Sequence, residues 1–301
     1  MAVLDAAITP LPVAPSLLGE SPLWHPDEQV LYWCDIPGKR LNRFNVQTGA
    51  ASHWDFDCEP ACVAPLLGGG LLLAMRDGIF AFDTRSGERE LLAAAPYDTA
   101  TERFNDGKAD AQGRFWVGTI DEQRQPRAAL YCLNRGRLSK VADGITTSNG
   151  LAFSPNGRTL HWADTRAHAV YAFDLDPVSG AVSRRRTLVQ FLPRAEGQSL
   201  DSYAGRPDGA AMDSQGHYWI AMFEGQSLLC LGADGRLLQT LHLPVRCPTM
   251  PCFGGADLRT LYITSSREGR SAQELLDQPL AGCVLSLRVA VPGLPAHCVM
   301  L

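Results

Sequence analysis

The stretch Asn149-Gly-Leu-Ala-Phe-Ser-Pro-Asn-Gly-Arg-Thr-Leu-His-Trp162 decides the fold, because the chain uses it more than once. Asp208-Gly-Ala-Ala-Met-Asp-Ser-Gln-Gly-His-Tyr-Trp219 and Asn105-Asp-Gly-Lys-Ala-Asp-Ala-Gln-Gly-Arg-Phe-Trp116 follow the same plan. A polar residue comes first, a glycine eight positions later, then a β-rich run ending in tryptophan. A further copy is Glu20-Ser-Pro-Leu-Trp-His-Pro-Asp-Glu-Gln-Val-Leu-Tyr-Trp33, in which Glu20 takes the place of Asn149. Two weaker copies put Cys62 and Met250 there. The equivalent positions 20, 62, 105, 149, 208 and 250 are separated by 42, 43, 44, 59 and 42 residues. Repeats of this length, each holding several short strands between turn signals such as Asn156-Gly157, Ser179-Gly180 and Asp234-Gly235, predict a β-propeller.

The expected fold is therefore all-β: six blades of about four strands, a single domain over residues 1–301. Ile8–Leu18 is expected to add a strand to the last blade and close the ring, which removes an exposed edge. The recurring Trp24, Trp33, Trp116, Trp162 and Trp219 read as blade core. Ser271–Gln278 is the one candidate short helix. The 59-residue interval marks an insertion near Pro193–Arg206, with Glu196, Gln198, Asp201 and Tyr203, and both a substrate-contacting loop and a tolerated insertion stay open.

The 301 residues carry a net charge of −5 and include 28 Gly and 20 Pro, which supply the turns. An acidic balance speaks against a nucleic-acid protein, which presents a basic face. No apolar run reaches the ~18 residues of a membrane span, and the N-terminus lacks the basic and apolar regions of a secretory signal. The nine cysteines contain no C-x-x-C pair and read as buried, reduced thiols. A cytoplasmic protein, a monomer or weak homodimer, is expected.

In a propeller, equivalent positions of the innermost strands ring one central channel. Glu20, Asn105, Asn149 and Asp208 are then four oxygen-donor side chains in register, with Cys62 and Met250 completing the ring. Two carboxylates and two amides at one end of a channel make a hard-cation site with room for outside ligands. Any one of these residues alone reads as a turn former, since Asn and Asp before Gly are common in turns. Asp106 reads as a turn residue. Arg103 reads equally as a substrate contact or as the partner of a surface carboxylate. The seven histidines are dispersed without an H-E-x-x-H motif, and neither G-x-S-x-G nor a P-loop occurs.

Leu18-Gly-Glu-Ser-Pro22, Asp35-Ile-Pro37, Arg103-Phe-Asn-Asp-Gly-Lys108, Gly118-Thr119, Ser148-Asn-Gly150, Arg206-Pro-Asp-Gly209 and Cys252-Phe-Gly-Gly255 run in order along nearly the whole chain. In this set the sequence resembles the senescence marker protein, gluconolactonase and regucalcin family. The resemblance implies one divalent cation (Ca²⁺, Zn²⁺, Mn²⁺, Mg²⁺ or Fe²⁺) held by Glu20, Asn149 and Asp208. It implies substrate contacts from Arg103 and Asn105, and a further acid after Gly118-Thr119 that falls on Glu122 or Gln123. The activity implied is hydrolysis of an aldonolactone (L-arabinono-, D-xylono-, D-galactono- or D-glucono-), with Asp208 as general base. A phosphotriesterase-like or other ester hydrolase on the same site, and a calcium-binding regulator without chemistry, stay open beside it.

Overall fold

A computed structural model describes residues 7–301 and shows six four-stranded antiparallel sheets arranged as the blades of a propeller. Blade 1 is built from Gly19–Trp24, Leu31–Asp35, Arg40–Phe44 and Ala51–Asp55, each strand pairing with the next. The innermost strands of blades 2 to 6 are Pro60–Pro65, Glu102–Ala109, Ser148–Phe153, Arg206–Met212 and Pro248–Gly254. The outermost strand of blade 6 is Thr9–Pro10, paired with Leu285 and Ser286, so the N-terminal segment closes the ring as expected. Leu11 N–H to Val284 and Ser16 N–H to Gly282 continue the seam.

The inner two strands of each blade are buried while the outermost alternate or lie exposed, so the apolar side chains face the neighbouring blades. Six apolar clusters result, one for each blade-to-blade interface. The tryptophans sit in them, and four find acceptors for their ring N–H: Ser16 for Trp33, Asp110 for Trp116, Ser148 for Trp162 and Asp213 for Trp219. Asp110 and Asp213 also accept the backbone N–H groups of the turns that follow, Gln112 and Arg114 in one case, Gln215 and His217 in the other. This double duty explains why the repeat couples an aspartate, a glycine and a tryptophan at fixed spacing.

Ala272–Asp277 forms a helix, with Ser271 accepting from Glu274 N–H as its N-cap. The extra length of the 59-residue interval lies in a loop, residues 191–205, between the outermost strand of blade 4 (Val182–Gln190) and the innermost strand of blade 5. Arg246 ties this loop to the helix, reaching Asp201 at 2.8 Å and Glu274 at 2.9 Å. Tyr203 is buried, with its hydroxyl 2.6 Å from His168 Nε2. Gln198 bonds within the loop, to Ala195 and Ser202. At the other end of the channel the C-terminal segment crosses the ring, bridging to Leu66 through Val299 and to Asp213 through Gly293. It covers a cavity of about 290 Å³ lined by residues including Lys108, Arg114, Met250, Leu294 and His297. All nine cysteines are free thiols.

His161 is buried between blades 4 and 5, stacked on Tyr218 at 5.0 Å, with no partner on Nδ1. Burial pushes its pKa down from the ordinary 6.5 to about 4. A depressed histidine favours the folded state only while neutral. Its contribution is complete above pH 6.5 and is lost as pH falls toward 4. Between pH 7.5 and pH 5 this group alone lowers stability by about 2 kcal/mol. Urea unfolding of wild type and His161→Gln at the two pH values checks this: the variant has the shallower dependence, and equal slopes would refute the assignment.

Candidate metal centre

All six innermost strands carry a break in their pairing with the second strand, and it falls at or beside the repeat position: Glu20/Leu23, Pro60/Cys62, Phe104/Gly107, Asn149/Ala152, Pro207/Ala210 and Pro248/Pro251. A bulge re-aims a side chain that the pleat would otherwise send into the blade. The Asn-Gly and Asp-Gly pairs at 149 and 208 therefore lie in strands, not in turns as their composition suggests. Gly150 has φ +63°, and a Cβ there would stand 2.3 Å from the Tyr218 hydroxyl. A Cβ on Gly209 would stand 2.4 Å from Met250. The glycines let adjacent inner strands approach while their neighbours turn to the axis.

Glu20, Asn105, Asn149, Asp208 and Arg103 are all buried. A chain of hydrogen bonds fixes the amides. Arg103 Nη1 donates to Asn105 Oδ1 at 2.7 Å, and Asn105 Nδ2 donates to Asn149 Oδ1 at 3.0 Å and to the Ser148 carbonyl at 2.8 Å. Asn149 Nδ2 then donates to Thr165 Oγ1 at 2.8 Å. Each Oδ1 accepts one bond, but that of Asn105 faces the guanidinium cation while that of Asn149 faces a neutral amide. The two amides so take different parts: Asn149 is the better donor to a cation, Asn105 the brace.

Glu20 accepts only one long bond, from Ser21 N–H at 3.4 Å. Ser21 itself sits at φ 48° before Pro22, and its Oγ accepts Val63 N–H, which ties blade 1 to blade 2. Neither Glu20 nor Asp208 has an ion-pair partner within 4 Å among the described residues. Burial, then the charges of Asp208 and Asp106, push the Glu20 pKa well up. Burial raises that of Asp208 to about 8, against the opposing pull of Arg206.

Asp106 is the residue that sequence reasoning missed. It lies in the strand, not in a turn: Oδ2 accepts Leu151 N–H of the next blade at 2.8 Å, and Oδ1 is buried without a partner. Burial raises its pKa to about 6, with Lys108 pulling the other way. Lys108 Nζ spans the channel to the Ala210 carbonyl at 3.0 Å. A third carboxylate thus adds negative charge at the same end. Cys62 is fully buried and its thiol is pushed far up by burial, so the axis gains no thiolate there.

The two candidates for the further acid separate cleanly. Glu122 Oε1 stands 3.6 Å from Arg103 Nε and is gripped by Arg76 through two bonds of 2.9 and 3.0 Å. Gln123 is exposed and accepts from Arg127 at 2.6 Å, away from Arg103. Arg103 is itself buried, against Asn105 and the Phe104 carbonyl, and it also pairs with the exposed carboxylate of Glu122, so the ion-pair reading holds and the substrate contact stays open beside it. Among the described residues no helix is long and apolar enough to cross a membrane.

The donor set fits a hard divalent cation. Two buried, mutually repelling carboxylates and a pre-oriented amide oxygen supply three oxygens, and an unpartnered Asp106 oxygen adds field from behind. Among the described residues no three His, Cys, Asp or Glu side chains converge as a ligand cluster. Fold and site together define a class: a six-bladed propeller with buried oxygen-donor side chains from several blades at one end of its axial channel.

Residues 18–267 match the family described as the SMP-30/Gluconolactonase/LRE-like region, and the chain belongs to it. It is 45% identical over 281 residues to a 6-deoxy-6-sulfogluconolactonase of Pseudomonas putida, covering 93% of this chain and 94% of that one. It is 32% identical to regucalcin of Sus scrofa, with 93% of each covered. A crystal structure of a calcium-binding protein, regucalcin, from Agrobacterium tumefaciens superimposes with a TM-score of 0.91 at 25% identity, over 98% of both chains.

Proposed function

We propose that the chain hydrolyses a sugar-acid lactone to the free acid, with a divalent cation held by Glu20, Asn149 and Asp208. One observation carries the reading: two buried, mutually repelling carboxylates, with no ion-pair partner within 4 Å among the described residues, belong to the same repeat positions as an Arg103–Asn105–Asn149 hydrogen-bond chain. Two of the relatives named above support it, one by a lactonase name and one by calcium binding.

A cation bound there supplies Lewis-acid polarisation of the lactone carbonyl and attraction for the oxyanion that develops on it. Arg103, held by Glu122 and Asn105, presents donors to ring or hydroxyl oxygens and fixes the sugar. Asn105 keeps Asn149 Oδ1 aimed at the axis through its amide N–H. Asp208 takes a proton from the attacking water as its oxygen bonds to the carbonyl carbon. The same proton then passes to the ring oxygen as the C–O bond breaks, leaving a hydroxyl and a carboxylic acid.

The test uses chelated protein reloaded with Ca²⁺, Mg²⁺, Mn²⁺, Zn²⁺ or Fe²⁺ and a pH-indicator assay. The panel holds pentono- and hexonolactones, the 6-sulfo lactone for which the Pseudomonas relative is named, and a phosphotriester. Faster acid release from at least one lactone with at least one ion is expected. Cation binding without turnover of any ester favours a calcium-binding regulator, and turnover of the phosphotriester alone favours the other hydrolase.

A further inference from the structure

The channel mouth above the axial donors is bordered by the loops that leave the second strands and by the segments that lead into the innermost ones. Three adjacent blades place arginines there. Arg124 follows the second strand of blade 3 (Phe115–Asp121), in a tight turn at φ 63°. Arg166 follows the second strand of blade 4 (Thr159–Asp164) and is next to Thr165, the acceptor for Asn149. Arg206 opens the innermost strand of blade 5, two residues before Asp208. With Arg103, at the start of the innermost strand of blade 3, four arginines lie at this end of three adjacent blades.

Their pairing is uneven. Arg103 has Glu122, and Arg206 has Glu224, which also receives Arg270. The aspartates nearby are already engaged: Asp121 by Arg127 and Gln123 N–H, Asp164 by the N–H groups of Thr146, Thr147 and Arg166. Arg124 and Arg166 have no carboxylate within 4 Å among the described residues, and both are exposed to solvent at the mouth. Besides burial, the charges of Arg124 and Arg206 weigh against the charged form of Arg166, so the three cations feel one another.

Like charges gathered at a concave mouth are costly alone and favourable once an anion enters. Guanidinium forks suit oxyanions because they donate in pairs. The chain's net charge of −5 excludes a general polyanion surface, so the anion is a local one. On the lactonase reading above, which this inference rests on, we propose that Arg166 and Arg124 clamp an anionic group of the substrate. The substrate class is then a sugar lactone bearing a sulfonate, phosphate or carboxylate at the end remote from the reacting carbonyl.

The experiment compares kcat/KM for 6-sulfo-, 6-phospho- and 6-carboxy-lactones with the unsubstituted hexonolactone, on wild type, Arg166→Gln and Arg124→Gln. Wild type prefers one of the charged lactones by at least about tenfold, and the ranking identifies the anion. Each variant lowers the charged-to-neutral ratio by about tenfold or more, mainly through KM. A structural defect lowers both rates and leaves the ratio unmoved. The KM of the charged lactone rises with added salt. Preference for the neutral lactone in wild type, or an unchanged ratio in both variants, overturns the clamp and leaves the lactonase reading intact. If no lactone turns over, that reading fails and calorimetry decides the clamp. Tighter binding of 6-deoxy-6-sulfogluconate than of gluconate, lost in Arg166→Gln, supports it; equal binding of the two acids overturns it.

Discussion

Asp208→Asn lowers kcat/KM for the lactone by about 10²–10⁴-fold, the range that removal of a general base produces. Asparagine keeps the size of the side chain and one ligating oxygen, but it cannot take a proton from water. The environment of Asp208 explains why the loss is large. The carboxylate is buried at the channel mouth, where burial raises its proton affinity above that of a free aspartate, and a bound cation lowers it again so that the deprotonated base stands beside the water. Arg206, two residues earlier, offsets part of that rise. The measurement is the lactone assay at saturating cation, with cation occupancy determined on the same sample. Near-normal turnover at full occupancy would sink the role of Asp208. A loss that vanishes at higher cation concentration would show that Asp208 only binds the ion.

Much of this was readable in the sequence, for a definite reason. Blades 3, 4 and 5 re-use one solution to the same local problem. A turn aspartate or serine caps the hairpin, a glycine closes it, and a tryptophan fills the gap between blades. Residues 105, 149 and 208 therefore repeat visibly with their glycines and tryptophans. Glu20, whose blade caps its hairpin with His25 through Asp27 and Glu28 N–H, is legible only by alignment to them. What stayed hidden depends on geometry that composition does not encode. Asp106 reads as a turn residue because Asn-Asp-Gly is turn-like, yet the bulge at Phe104/Gly107 keeps it in a strand and sends its carboxylate toward the next blade. Glu122 and Gln123 are neighbours in sequence, and the conformation of one tight turn decides which meets Arg103. The unpaired state of Arg166 is invisible for another reason. Salt bridges at the mouth join residues far apart in the chain, such as Arg270 with Glu224 and Arg76 with Glu122.

The metal reading and the plain capping reading of the axial residues part company over Glu20→Gln. If Glu20 only caps a strand, glutamine weakens the fold whatever ions are present. Its contacts argue otherwise. Its backbone bond is long, it has no cationic partner within 4 Å among the described residues, and Asp208 and Asp106 repel it. A buried carboxylate in that setting costs free energy unless a cation joins it. In EDTA, Glu20→Gln is therefore more stable than wild type, by on the order of 2 kcal/mol. Saturating divalent cation reverses the order. A ligand at 100 times its Kd stabilises the protein that binds it by about 2.7 kcal/mol, and the variant, with one hard donor weakened, gains little of this. Four melting curves, two proteins with and without cation, settle the matter. The expected result is a crossover: the variant melts higher in EDTA, wild type melts higher with the ion. A variant that melts lower in both conditions by the same margin returns Glu20 to a capping role and takes the cation site with it.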